Sequence, residues 1–351
     1  MVAWHAPLSL LRWSCVGAVV PAGTLAVAGD RGFAGVFDRQ ACTREASSAS
    51  EWAGFCAWLE DSCHFPVMGR FFQGSFERNG TSVRGVGSVH SMSKGDLLGC
   101  IPRSCLMYKS DKRRSAAAKG AAQHPSCGEL NGASLALYVA EEARRGGESS
   151  FAPYLRALPG LEDYREYHPA FVGRRLGLSL EAEDRWALWQ GPGNFTESLR
   201  SCYDTYQKLV PASGKAPIFE ETLLAFVQVL THQYFPETLI PFADNLNTGP
   251  LAEVNVENSV VRDDQGRKSH YCLEASEDIA AGAELVLDYE VPDLAPLEYF
   301  EMYGFTLGAA HHPPASEHMC QGLYASEFAQ PAADADPVLR NYWHFAREHC
   351  G

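Results

Sequence analysis

Two hydrophobic periods alternate along this chain. Short alternating apolar runs at Thr81–Val89, Met92–Leu98 and Ile101–Pro102, separated by glycine-containing turns, predict a small antiparallel sheet. Val254–Val256 and Ser269–Glu274 predict two further strands around the polar hairpin Arg262-Asp263-Asp264-Gln265-Gly266. Elsewhere the period lengthens. Ser134–Arg145 has helix-forming composition, with Ser134 at its start and Gly146-Gly147 past its end, the residue types expected at helix termini. Phe195–Val210 and Phe219–Gln233 carry apolar residues at three- and four-residue spacing, which predicts two more helices with one buried face each.

Composition narrows the classes. At 351 residues and 46% hydrophobic content the chain can bury a substantial core. No run of eighteen or more uncharged apolar residues occurs, which argues against a membrane-spanning helix. The net charge of −14 is uneven: the first 120 residues are net basic and the rest strongly acidic. An acidic surface repels phosphate backbones and attracts basic peptides, so direct nucleic-acid binding is not expected. The eleven cysteines include no C-x-x-C pair, which gives no zinc signature and points to reduced, structural thiols in a cytosol-like setting. Cys100 and Cys105 read as buried small hydrophobes, and no metal is expected. Lys109–Lys119, rich in Lys and Arg, reads as a solvated loop.

Candidate chemistry concentrates in the last third. Pro241-Phe242-Ala243-Asp244-Asn245-Leu246-Asn247-Thr248 is followed by Ile279-Ala280-Ala281-Gly282-Ala283-Glu284-Leu285, Asp288-Tyr289 and Tyr303-Gly304-Phe305. Upstream lie Arg84-Gly85-Val86-Gly87, Lys94-Gly95-Asp96 and Ile101-Pro102, then Glu148 to Leu155 and Leu158-Pro159. Taken alone, Asp244 and Asn247 would make a turn and Tyr289, Tyr303 and Phe305 would be core aromatics. Taken together, over about residues 55–308, these segments resemble a SET domain of the Rubisco large-subunit methyltransferase-like branch, whose members are protein lysine or histidine N-methyltransferases.

The resemblance implies an α+β fold class: a SET β-fold of several short sheets with a helical insert. It divides the chain into a leader or degenerate copy of the next segment (1–54), the N-terminal part of the SET domain (55–130), the insert (131–235), the C-terminal part (236–308) and a tail (309–351). It also implies S-adenosylmethionine as cofactor, held by Arg84, Gly85, Val86, His232, Asp244, Asn247, Thr248 and Tyr289. Tyr289 is the implied catalytic residue, and Tyr234, Tyr303 and Phe305 would line the substrate channel. His232 and Thr248 depart from the family, which has Arg and His there. An Arg is a permanent bidentate partner for a carboxylate, whereas a histidine is partly charged near neutral pH. The separate helical substrate-binding domain of the plant enzyme is not expected in Gly308–Gly351.

These features imply a protein N-methyltransferase with lysine as the favoured acceptor, or a silent SET-like binding module as the alternative. The expected partner is a protein substrate with a basic or lysine-bearing segment, taken up by a monomer without nucleic acid or membrane. A cytoplasmic or nuclear setting is favoured. Residues 6–28 are mildly apolar and end in Leu25-Ala26-Val27-Ala28-Gly29, so they read either as a leader or as a worn copy of the segment that follows.

Overall fold

A computed structural model of the chain describes residues 40–42, 50–78, 81–168, 195–211, 216–234, 237–289, 299 and 302–303. The leader reading, Phe305 and the tail lie outside the described residues. Nine strands are described: β1 (Gln40–Ala41), β2 (Phe71–Arg78), β3 (Thr81–Ser88), β4 (Leu97–Pro102), β5 (Met107–Tyr108), β6 (Gln233–Tyr234), β7 (Thr238–Leu239), β8 (Val256–Arg262) and β9 (Lys268–Ala275). They form three small antiparallel sheets in the orders β1-β2-β3, β4-β9-β8 and β5-β7-β6. The helices are α1 (Glu51–Cys63), α2 (Ala116–Ala121), α3 (Pro125–Gly128), α4 (Ala133–Arg145), α5 (Ala152–Ala157), α6 (Leu161–Tyr167), α7 (Phe195–Leu209) and α8 (Phe219–His232). The class is therefore α+β with several short sheets.

Local chemistry accounts for the helix ends. Ser50 caps α1 by accepting from the Ala53 amide at 3.1 Å, and His64 stops the helix in the left-handed region at φ 55°. The buried face of α1 carries Trp52, Phe55, Cys56, Leu59 and Cys63. Phe55 and Trp58 meet Tyr154 of α5 at 5.9 and 6.2 Å between ring centroids. At the start of α4 the structure departs from the sequence reading. Gly132 at φ 85° is the capping residue, and its amide donates to Glu237 Oε1 at 2.8 Å. Ser134 sits inside the helix and accepts from buried Arg114 at 2.9 Å.

Three further expectations change. β3 and β4 do not share a sheet: β3 pairs with β2, and β4 pairs with β9, because each glycine turn ends one pairing without opening the next. The first strand of the β8–β9 hairpin is displaced from the reading Val254–Val256: it runs Val256–Arg262, with the turn closed by Asp263. The basic segment is not solvated throughout. Arg113 donates to Asp111 and to the carbonyls of Ser104 and Leu106, and Arg114 is buried, donating to the carbonyls of Lys109 and Ala118. The two guanidiniums thereby tie this segment to neighbouring backbone carbonyls, exposed ones for Arg113 and the buried Ala118 bond for Arg114.

The cysteines also depart from expectation. Eight of them form disulfides: Cys42–Cys56, Cys63–Cys105, Cys100–Cys272 and Cys127–Cys202. The reading of reduced thiols is thereby overturned, since the pairs close across elements and not across a short motif. Cys100 and Cys272 are register partners on β4 and β9, and Cys127 on α3 meets Cys202 on α7. No helix among the described residues is long and apolar enough to cross a membrane.

Candidate functional site

Residues of the last third are gathered by unusual backbone at Phe242. This residue adopts φ 74° and ψ −53°, a region that costs a bulky side chain about 1–3 kcal/mol and persists only where packing over-determines it. Its buried ring is held between Phe65 and Phe71, with centroids at 4.7 and 4.9 Å. The chain turns there into a short 3-10 segment, Ala243–Asn245, which aims Asp244 inward and sends Leu246–Thr248 along the sheet. Asn247 then bridges to Val286 in parallel, with the Leu287 amide on the Asn247 carbonyl at 2.9 Å.

One group of candidates meets at β3. Asn247 Nδ2 donates to the Arg84 carbonyl at 2.9 Å and to Glu284 Oε1 at 2.8 Å. Gly85 is what allows this approach, because a Cβ there would lie 2.6 Å from both Asn247 Nδ2 and Glu284 Oε1. Both amide protons are committed, which leaves Asn247 Oδ1 as an acceptor. Val86 is buried beneath, its carbonyl accepting from the Leu285 amide at 2.8 Å. The Arg84 side chain is exposed and forms no ion pair among the described residues.

A second group lines a cavity of about 700 Å³ that includes Thr231, His232, Tyr234, Asp244, Tyr271, Tyr289 and Tyr303. Arg84, Gly85, Val86, Asn247 and Thr248 are not on its wall. The two groups are linked through one residue, since Tyr289 donates its hydroxyl proton to the Leu246 carbonyl at 2.9 Å, next to Asn247. Its oxygen lone pairs are left as acceptors. Tyr303 packs on Tyr289 at 5.2 Å and on Tyr299 at 4.7 Å, and buried Thr248 lies beside the Tyr299 hydroxyl. Tyr234 stacks at 5.5 Å on Tyr271 and donates to the Ala243 carbonyl at 2.9 Å.

The inner wall is electrically quiet. Burial drives the Asp244 carboxyl well above the usual carboxylate range, partly offset by the hydroxyl of Tyr154 and the Asn245 amide, which donate to its two oxygens. Burial also drives the His232 imidazole down to about 4, with the Arg84 charge adding to the effect. His232 is therefore neutral near pH 7. Its Nδ1 donates to the Gln228 carbonyl at 3.0 Å, which assigns the proton to that nitrogen and leaves Nε2 an acceptor. Gln233 Oε1, also on the cavity wall, is buried with no donor among the described residues. Among the described residues no group of three or more His, Cys, Asp or Glu could hold a metal ion.

Tyr154, Tyr271, Tyr299 and Glu284 take part in this arrangement without having been singled out from the sequence. Tyr271 had a signal, as the residue beside Cys272 in a strand of alternating character. Tyr154 lies in the motif segment Glu148 to Leu155, but nothing local pairs it with Asp244, 90 residues away.

No protein-family model matches the chain, and no curated protein does. Among solved structures it is similar to the SET domain of LSMT bound to lysine and AdoHcy (TM-score 0.46, 14% identity, covering 73% of this chain and 57% of that one). It is also similar to Rubisco LSMT bound to AdoMet (0.46, 14%, 74% and 57%) and to the SET domain of LSMT bound to MeLysine and AdoHcy (0.45, 16%, 74% and 57%). The chain thus spans 57% of the length of these proteins. A likeness of this strength carries no argument about chemistry.

Proposed function

We propose that the chain is an S-adenosylmethionine-dependent protein N-methyltransferase whose acceptor is lysine. The observation that carries this reading is the junction at Leu246–Asn247. On one side Gly85 lets the Asn247 and Glu284 side chains close onto β3, and on the other is a tyrosine-lined cavity, with the Tyr289 hydroxyl fixed between them. The residues fit the cofactor's amino-acid end. Asn247 Oδ1 can accept from an ammonium, Glu284 adds negative charge, and the exposed Arg84 guanidinium can take a carboxylate that neutral His232 cannot. S-adenosylmethionine supplies a methyl group on a sulfonium, and transfer leaves a neutral thioether while the acceptor nitrogen gives up a proton.

The chain's own residues have three tasks in such a displacement: alignment, exclusion of water and management of the acceptor's charge. Tyr234, Tyr271, Tyr289 and Tyr303 offer aromatic faces to an alkylammonium before it loses its proton. The Tyr289 oxygen then accepts from the remaining N–H and orients the nitrogen. Gln233 Oε1, an unsatisfied buried acceptor, favours a ligand that brings a donor. The four disulfides favour maturation in an oxidising compartment over the cytoplasmic or nuclear setting suggested by the cysteine spacing.

A second reading, a silent binding module of the same fold, is favoured by one observation: neutral His232 supplies no fixed cation at the inner wall. Titration calorimetry with S-adenosylmethionine and transfer of labelled methyl to lysate proteins separate the two. The enzyme reading expects both binding and label on lysine, with Asn247→Ala weakening binding by about 1–3 kcal/mol. Cofactor binding without label on any protein would leave the silent module.

A further inference from the structure

The chain carries a net charge of −14, yet the outer wall of its cavity is basic. Arg103, Lys109, Lys268 and His270 all line it and all are exposed. Register explains the grouping. Pro102 on β4 is the partner of His270 on β9, so the chain leaving β4 carries Arg103 past Ser269 and toward Lys268 at one end of the sheet. The Cys63–Cys105 bridge holds the segment after β4 in place, and the Arg103 guanidinium lies 4.7 Å over the Tyr108 ring, which leaves its charge uncompensated. Lys109 is neutralised by Glu237, whereas Arg103 and Lys268 form no ion pair among the described residues. Of the other cavity carboxyls, Asp244 is buried and bonded to Tyr154 and Asn245, and Asp288 is half-buried next to Tyr289. On the same wall, one strand beyond Lys268, Val260 on β8 is register partner to Tyr271 and is 41% exposed, which adds an apolar spot beside the cations.

We infer that this rim is a docking surface for a protein segment that carries carboxylates beside the side chain entering the cavity. Arg103 and Lys268 hold those carboxylates, and Val260 packs against the segment beside them. The chain's overall acidity would select a basic partner. The rim selects the opposite, because beyond a Debye length of about 8–10 Å charges are largely screened, so the nearest unpaired charges dominate over distant ones. The inference rests on the transferase reading for the identity of the inserted side chain, and on the rim's own charges for what flanks it.

The test uses the purified full chain and three fluorescein-labelled peptides, each with one central lysine flanked by glutamates, serines or arginines. Fluorescence anisotropy at low and high salt gives their affinities. The glutamate-flanked peptide is expected to bind roughly three- to tenfold more tightly than the serine-flanked one, with the margin shrinking at high salt. The Arg103→Glu/Lys268→Glu variant should invert the order, and Lys268→Gln alone should reduce the margin. Unchanged thermal melting of both variants keeps that comparison interpretable. Equal affinities, a preference for arginine flanks, or an order that survives the charge reversal would overturn the proposal. Labelled-methyl transfer is scored separately. Preferential binding of the glutamate-flanked peptide without methylation supports the rim and removes the transferase reading. Methylation of the arginine-flanked peptide in preference removes the rim assignment and leaves the transferase reading standing.

Discussion

The inner wall and the rim of one cavity solve the problem of polar groups in opposite ways. Inside, Asp244 and His232 are held by their neighbours: Asp244 by Tyr154 and Asn245, His232 neutral by burial and bonded to the Gln228 carbonyl. At the rim, Arg103 and Lys268 stand in water with their charges intact. A desolvated charge costs several kcal/mol unless it is paired, so the interior favours position over charge. The exterior can keep charge because water already solvates it, and there it acts at longer range but weakly. Alignment therefore belongs to the inner wall and partner selection to the rim.

The covalent frame behind both regions should give the largest effect. Replacing Cys100 and Cys272 together with serine removes a bridge across 172 residues of chain, and a loss of about 2–5 kcal/mol is expected in urea denaturation. Peptide mapping without reductant should recover the Cys100–Cys272 pair, and free thiols at both positions would show that this frame does not exist. Next comes the inner wall's chemistry. Tyr289→Phe keeps the ring against Tyr303 but loses the hydroxyl fixed on the Leu246 carbonyl. Turnover should fall about 10²-fold with cofactor affinity nearly unchanged, as expected for a group acting mainly in the transition state. Turnover equal to that of the unaltered chain would assign Tyr289 to structure alone.

Tyr154→Phe probes the interior without touching the cavity wall. It strips one donor from a buried carboxyl, and stability should fall by about 1–3 kcal/mol. A variant as stable as its parent would mean that Asp244 finds another partner, and the quiet interior would lose its explanation. The smallest effect belongs to the rim. Lys268→Ala should change stability by no more than about 0.5 kcal/mol, since an exposed, unpaired side chain contributes little to folding. A larger loss in calorimetric melting would place Lys268 in the structural frame and erase the contrast between the two regions.

Periodicity made the three longer helices of the middle region and strand β9 legible, because each buries one face and the pattern records which residues face inward. The order of glycine, Asp, Asn and tyrosine motifs marked the residues that gather around Leu246 and Asn247. That much is local: the propensity of a segment and the chemistry of its side chains are properties of neighbours in the chain. Partnership is different. The Arg113–Arg114 segment reads as charged and solvated, yet the chain folds back so that its guanidiniums take the carbonyls of Ser104, Leu106 and Ala118, a closure that composition and periodicity do not record.

The amino-acid sequence by itself determined the class of the fold, the longer helices and part of the strands, and it supplied a set of candidate site residues. Only the tertiary structure decided which cysteines pair, that Gly85 meets Asn247 and Glu284, that Tyr154 quiets Asp244, and that an acidic chain presents a basic rim. The reason is physical. Burial and proximity set the energy of a charge or a thiol, and both are fixed by contacts between residues as far apart as 172 positions, which periodicity and composition do not encode.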